Sequence, residues 1–221
     1  MTHRTSVIAI DGPAASGKSS TAQMVAERLG YLHIDSGSLY RAATAAALRD
    51  ASDPAQLSED DVLRAADAVE LRPARTSFYP VLDGHNIEDE IRGPEVTRHV
   101  SRVAQMPRVR EWVNDRVRAA ASDRNVVVDG RDMGTVVFPD ADLKVFLIAD
   151  SRERAARRLR QRGTPTSEQL LVDETKRINE RDARDARQTV PAADAVVIDT
   201  TTLTQQEQVE RIVTLSERGR V

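Results

Sequence analysis

The sequence predicts an α/β fold, a parallel sheet flanked by helices, from two observations. Short β-branched runs alternate with helix-like stretches at both ends of the chain, and the strands are apolar and brief, as buried parallel strands are. In the first half the order is Val7 to Ile10, helical Ser19 to Leu29, Leu32 to Ile34, then helical Ser38 to Leu48. In the second it is Val126 to Val128, Leu143 to Ile148, helical Arg152 to Gln161, then Val196 to Ile198 before a final helix.

Two segments interrupt this rhythm. Residues 69–93 hold Val69 to Arg72, Pro80 to Leu82, the turn pair Asp83 and Gly84, and Ile87 to Ile91, a pattern that predicts a small antiparallel β insertion. Gly163, Thr164 and Pro165 form a breaker cluster between the arginine-rich helix and another helix reaching about Arg181. Residues 158–182 are the second expected attachment, and both segments are expected to move.

Composition bounds the rest. At 221 residues the chain is long enough for one domain, 1–221, with its own core. Hydrophobic residues make up 40% and charged residues 30%, which excludes disordered and collagen-like classes. No apolar run approaches the roughly 20 residues of a membrane span, and Val7 to Ile10 is too short for a signal-peptide core, so no membrane partner and a cytoplasmic location are expected. There is no cysteine, hence no disulfide and no thiolate metal site or nucleophile. A net charge of −3 argues against a nucleic-acid binder. Only Lys18, Lys144 and Lys176 among the 32 basic residues are lysines; the rest are arginines, which suit planar oxyanions.

The chemistry begins at residues 12–19, where Gly12, Pro13, Ala14, Ala15, Ser16, Gly17, Lys18 and Ser19 match G-x-x-x-x-G-K-[ST] between an apolar strand and a helical run. Glycines let backbone N–H groups close around phosphate oxygens, the helix start adds positive potential, and lysine reaches the β and γ phosphates. Ser19 or Ser20 can then orient a magnesium ion. No N-K-x-D occurs, which disfavours a GTPase. Asp35, Ser36 and Arg41 lie in D-S-G-S-L-Y-R after the second strand, where open parallel sheets bind ligands; helix capping by Asp35 or Ser36 is the alternative.

These residues resemble the bacterial cytidylate (CMP) kinases, a family of phosphate-loop nucleoside monophosphate kinases. The likeness is carried by I-D-G-P-A-A-S-G-K-S-S, I-D-S-G-S-L-Y-R, E-I-R-G-P-E-V, M-P-R-V-R, V-V-V-D-G-R-D-M-G-T-V-V-F-P-D-A and E-R-D-A-R-D, spread from residue 10 to residue 185. It implies that the β insertion binds the monophosphate and that the region near Gly163 closes over ATP. It also implies that Arg41 and Arg131 grip the acceptor phosphate, that Ser101, Arg110 and Asp132 face cytosine with Arg92 nearby, and that Arg181 and Asp185 address the ribose. Arg154 and Arg158, four apart on one helix face, are then expected beside the transferring phosphates with Lys18 and Arg131, and Arg157 close by. Asp129, ending an apolar strand, is a candidate carboxylate for magnesium, acting through a group that the ion binds directly; a structural capping role is the alternative.

Cytosine presents an amino donor beside two acceptors, and a carboxylate with a guanidinium, Asp132 with Arg110, matches that edge. Related sequences often carry an arginine three residues after the sugar-contacting aspartate; here Gln188 stands there, with Arg187 one place earlier. His3, His33, His85 and His99 are scattered, and Trp112 stands alone; structural roles are expected for all five. The expected activity is magnesium-dependent transfer of the γ phosphate of ATP to CMP or dCMP by a monomer with no nucleic-acid partner. The alternatives are a kinase for another small acceptor such as UMP, AMP or shikimate, or a regulatory ATP-binding protein.

Overall fold

Four apolar strands and the loops at their carboxyl ends position the site. In chain order the computed structural model, which describes residues 5–218, runs β1 (Val7–Asp11), α1 (Lys18–Leu29), β2 (Leu32–Asp35), α2 (Ser36–Arg49), α3 (Glu59–Ala66) and β3 (Val69–Pro73). There follow β4 (Phe78–Leu82), β5 (His85–Asn86), α4 (Pro94–Val103), α5 (Pro107–Ala121), β6 (Val126–Gly130) and β7 (Leu143–Ile148). The chain ends with α6 (Ser151–Gln161), α7 (Glu168–Asp185), β8 (Val196–Asp199) and α8 (Gln205–Arg218). His3 lies outside the described residues. The described residues divide into two compact units, one formed by 5–31 with 125–218 and the other by 32–124.

In the first unit the strands run β6-β1-β7-β8, all parallel. Ile8, Ile10, Val127, Val145, Leu147 and Ile198 from these strands pack with Ala22 and Val25 of α1 and with Val209 and Ile212 of α8 in one buried cluster. A second, smaller cluster joins Ala155 and Leu159 of α6 to Leu171 and Ile178 of α7. Burial of these aliphatic side chains, at roughly 1.5–3 kcal/mol each, fixes the sheet whose strand ends carry the site.

Gly12 shows why the β1–α1 connection demands glycine. Its φ of +149° places any Cβ 2.2 Å from the Leu147 carbonyl oxygen of β7, so only a residue without a side chain lets the loop leave the sheet there. The loop ends at Gly17, and α1 starts with no side-chain cap, which leaves its first N–H groups directed at the loop.

The second unit holds the antiparallel sheet β3-β4-β5 and a core made by Ala42, Ala45, Ala46, Val69, Leu82, Ile87, Ile91 and Val96. The expected insertion is thus a three-stranded sheet, with one difference: Ile87 to Ile91 is not a strand. Ile91 N–H donates to the Ile87 carbonyl at 3.0 Å, the segment closes in a 3₁₀ turn at Glu90–Arg92, and both isoleucines enter the same core. A spacing of four lies on one face of a turn and on one face of a strand alike, and the i to i+4 hydrogen bond from Ile91 to Ile87 selects the turn. Trp112 packs against this core as expected. Asp35 caps α2, accepting from Ser38 N–H at 3.2 Å, and the α6–α7 break falls around Gly163. No helix among the described residues is long and apolar enough to cross a membrane.

Candidate active site

The site in the first unit assembles where β1 and β6 end side by side, Asp11 opposite Gly130. Lys18 is buried, its Nζ donating to the Pro13 carbonyl at 2.7 Å and lying 3.5 Å from Ser16 Oγ. Burial lowers its pKa to about 7, and the Arg131 guanidinium pushes the same way, while Asp129 and Asp11 oppose. The lysine lies folded on its own loop in a field that disfavours its charge, and an anion placed there would restore it.

Ser19 Oγ donates to Asp129 Oδ2 at 2.7 Å, so the two candidate magnesium residues, from α1 and β6, already touch. Hydroxyl and carboxylate oxygens are hard donors of the kind magnesium takes, with waters and substrate phosphates completing its shell. Among the described residues there is no group of three or more His, Cys, Asp or Glu that could hold a metal ion. Ser20 Oγ turns back to the Gly17 carbonyl and to Gln205 of α8.

Arg154 is buried and lies against the phosphate loop. Its Nη1 donates to the Ala14 carbonyl at 2.9 Å and to Asp182 Oδ2 at 2.6 Å, and its Nε to the Ala149 carbonyl at 3.0 Å. The other oxygen of Asp182 accepts from Ala14 N–H at 3.2 Å, so one carboxylate of α7 ties α6 to the loop. Arg158 pairs with buried Glu174 at 3.1 Å, and Arg162 and Arg177 each stand 3.4 Å from the same carboxylate. Burial, with the neighbouring Arg162, lowers the Arg158 pKa. Arg157 faces elsewhere: its guanidinium donates to the Thr200 and Thr201 carbonyls at 2.5 and 3.2 Å, holding the β8–α8 loop. Arg131 and Arg181 converge on buried Asp185, at 3.4 and 3.6 Å.

The first unit thus carries Asp129 near the end of β6, and Gly12 to Ser20, Arg131, Asp132, Arg154, Arg158, Arg181 and Asp185 on the loops and helices that follow β1, β6 and β7. The remaining candidates, Asp35, Ser36, Arg41, Arg92, Ser101 and Arg110, belong to the second unit. There Arg41 donates to the Ile91 carbonyl and to Thr97 Oγ1, both at 3.1 Å, which ties α2 to α4. Arg110 donates to the Ala104 carbonyl at 3.1 Å and lies over the Tyr40 ring, 5.7 Å from its centre. Arg92 closes the 3₁₀ turn and Ser101 sits on α4. Sequence reasoning missed Asp11, Asp182 and Glu174, whose partners the local spacing does not identify.

Residues 8–218 match the family model for cytidylate kinase. Proteins named cytidylate kinase from Oceanobacillus iheyensis and Geobacillus kaustophilus are 41% and 44% identical over 212 and 215 residues, each match covering 93% of this chain and 91% and 94% of the relative. An uncharacterized protein from Eubacterium ventriosum, of solved structure, shares the fold at a TM-score of 0.50 and 11% identity, covering 96% of this chain and 99% of that one. The match spans nearly every described residue and includes both interruptions of the α/β rhythm, so the chain belongs to the cytidylate kinase family.

Proposed function

We propose that the protein transfers the γ phosphate of ATP to CMP or dCMP, giving ADP and CDP or dCDP. The observation that carries this reading is Lys18, buried in a glycine-bounded phosphate loop beside the Ser19–Asp129 pair, in a chain whose length matches one kinase family. Transfer between two phosphates needs placement and charge neutralisation more than covalent help. The acceptor oxygen is already anionic near neutrality, so no general base is required.

In this reading the loop from Gly12 to Ser20 holds the triphosphate, and Lys18 with Arg131, Arg154 and Arg158 neutralises charge that shifts during transfer. Ser19 and Asp129 would hold magnesium, which supplies Lewis-acid neutralisation of the phosphate oxygens when bound. Asp132 accepts from the cytosine amino group, and Arg181 with Asp185 addresses the sugar. The roles of Asp35, Ser36, Arg41, Arg92, Ser101 and Arg110 in binding CMP, the mobility of 69–93 and 158–182, a monomeric state and a cytoplasmic location are proposed on the family resemblance. Closure of the α6–α7 region would keep water from taking the γ phosphate.

A coupled ADP-release assay with CMP, dCMP, UMP and AMP tests the reading. CMP and dCMP should be used best. Uracil would turn a carbonyl toward Asp132 and leave buried acceptors facing each other, a mismatch that supports discrimination up to roughly 10⁴-fold. ADP release equal across the four acceptors, or independent of any acceptor, would refute it.

A further inference from the structure

Arg154 lies in the first turn of α6 and Asp182 near the carboxyl end of α7, at the ends of the helix pair remote from the break around Gly163. There the two side chains close a ring on one residue of the phosphate loop. Arg154 Nη1 donates to Asp182 Oδ2 at 2.6 Å and to the Ala14 carbonyl at 2.9 Å, and Ala14 N–H donates to Asp182 Oδ1 at 3.2 Å. Both polar groups of the Ala14 main chain are thereby held. The next loop residue, Ala15, takes a left-handed φ of +59°, uncommon for a residue with a side chain, and packs against the α6–α7 cluster of Ala155, Leu159, Leu171 and Ile178.

We propose, on the reading of Arg154 as a group that neutralises charge during transfer, that Asp182 is a positioning residue for that step: it fixes the Arg154 guanidinium against the phosphate loop. An arginine side chain has many rotamers, and one that must be ordered as the reaction proceeds slows it by the freedom it loses. Here the Ala149 carbonyl holds Nε at 3.0 Å and two further oxygens hold Nη1, so the place and plane of the guanidinium are set before a ligand arrives. A charge fixed in this way needs no reorganisation at the moment of transfer. Of the three acceptors only Asp182 is ionised, and a hydrogen bond between two ions is the strongest of the set.

The same carboxylate acts in the opposite sense on nucleotide binding. The Arg154 side chain is 7% exposed and that of Asp182 24%, so solvent screens the pair poorly. A carboxylate on the phosphate loop repels the phosphates that the guanidinium attracts. Asp182 therefore favours transfer through orientation and disfavours binding through charge, and the two effects separate in kcat and KM. A residue that merely supported the fold would weaken both.

The test measures kcat, and KM for ATP at saturating CMP, in the purified parent, Asp182→Asn, Arg154→Ala and the double variant. Asparagine keeps an oxygen for Ala14 N–H and turns an amino group on Arg154, so the loop stays braced while the guanidinium is released. Asp182→Asn should lower kcat about tenfold or more, the scale of one hydrogen bond to a charged group, with KM for ATP equal to that of the parent or lower. Arg154→Ala should lower kcat at least as far, and the double variant should match it within about twofold, because Asp182 acts through the arginine. If asparagine prevents folding, Asp182→Glu, which moves the charge by one methylene, should show a smaller fall in kcat that also vanishes in the Arg154→Ala background. A second fall in the double variant, or a severalfold rise in KM for ATP alongside the fall in kcat, would mean that Asp182 shapes the loop on its own, and overturns the proposal. If Arg154→Ala lowers kcat and Asp182→Asn does not, this inference fails alone. If kcat survives in Arg154→Ala, the reading of Arg154 fails and the inference with it, while CMP-dependent ADP release by the parent still supports the proposed transfer.

Discussion

The two compact units treat charge in opposite ways. Among the described residues every buried aspartate, glutamate, lysine and arginine lies in the first unit: Asp11, Lys18, Asp129, Asp132, Lys144, Arg154, Glu174 and Asp185. Ion pairs within the second unit, such as Arg49 with Glu90 at 2.6 Å and Arg98 with Glu95 at 2.9 Å, sit at the surface, and its buried polar residues are His33, Ser36, Ser38, Thr44 and Asn114. Burying an ion costs several kcal/mol even in a relaxed protein, and the same pairs could have been built on the surface. The first unit accepts that cost where triphosphate is proposed to bind, so that its dipoles and charges face the ligand without competition from water. The second, where the remaining CMP contacts are proposed, keeps each of its charged side chains at least partly in solvent among the described residues.

The severest way to break this contrast is to remove the buried ammonium. Lys18→Ala should lower kcat about 10³-fold, on the scale of losing one preorganised charge donor in a water-excluded site, with the thermal midpoint little changed because the lysine contacts its own loop rather than the core. Activity near that of the parent in the folded variant would show that the buried charge has no part in transfer.

A stability comparison follows, smaller in effect. Buried Glu174 lies beside the guanidinium groups of half-buried Arg158 and exposed Arg162 and Arg177, so Glu174→Ala takes the partner from Arg158 and should cost about 1–3 kcal/mol in denaturant unfolding. Glu90→Ala breaks an exposed two-hydrogen-bond pair with Arg49 and should cost about 1 kcal/mol or less. Equal losses would erase the distinction between the units.

The same contrast explains what was legible in the sequence. The phosphate loop could be read because its parts are consecutive and its chemistry is mostly backbone, and the parallel sheet because its strands are short and mostly apolar. Asp132, Arg181 and Asp185 were reachable through family motifs. Asp11, Asp182 and Glu174 were not legible, since a carboxylate announces nothing about a partner far along the chain: Asp11 meets Met133 and Asp182 meets Ala14. The segment from Ile87 to Ile91 was misread for a related reason, as two isoleucines spaced four apart around three acidic residues fit one face of a strand or of a turn equally well.

The subtlest expected effect concerns protons rather than rates. In the free protein burial and Arg131 hold the Lys18 pKa at about 7, so at about pH 8 the side chain is mostly neutral. A triphosphate beside it favours the ammonium and raises that pKa, and by linkage the group must take up a proton as the nucleotide binds. Below the free-state pKa the lysine is already charged and takes up little. Titration calorimetry of ATP binding at about pH 8, in two buffers of unlike ionisation enthalpy, should therefore report an uptake approaching one proton, falling as the pH is lowered through 7. Lys18→Met should remove the uptake at pH 8 while leaving any proton release by the nucleotide itself. Binding with no buffer dependence at pH 8 would mean that the ammonium is charged before the phosphate arrives, and that the first unit holds its site charges more cheaply than its burial implies.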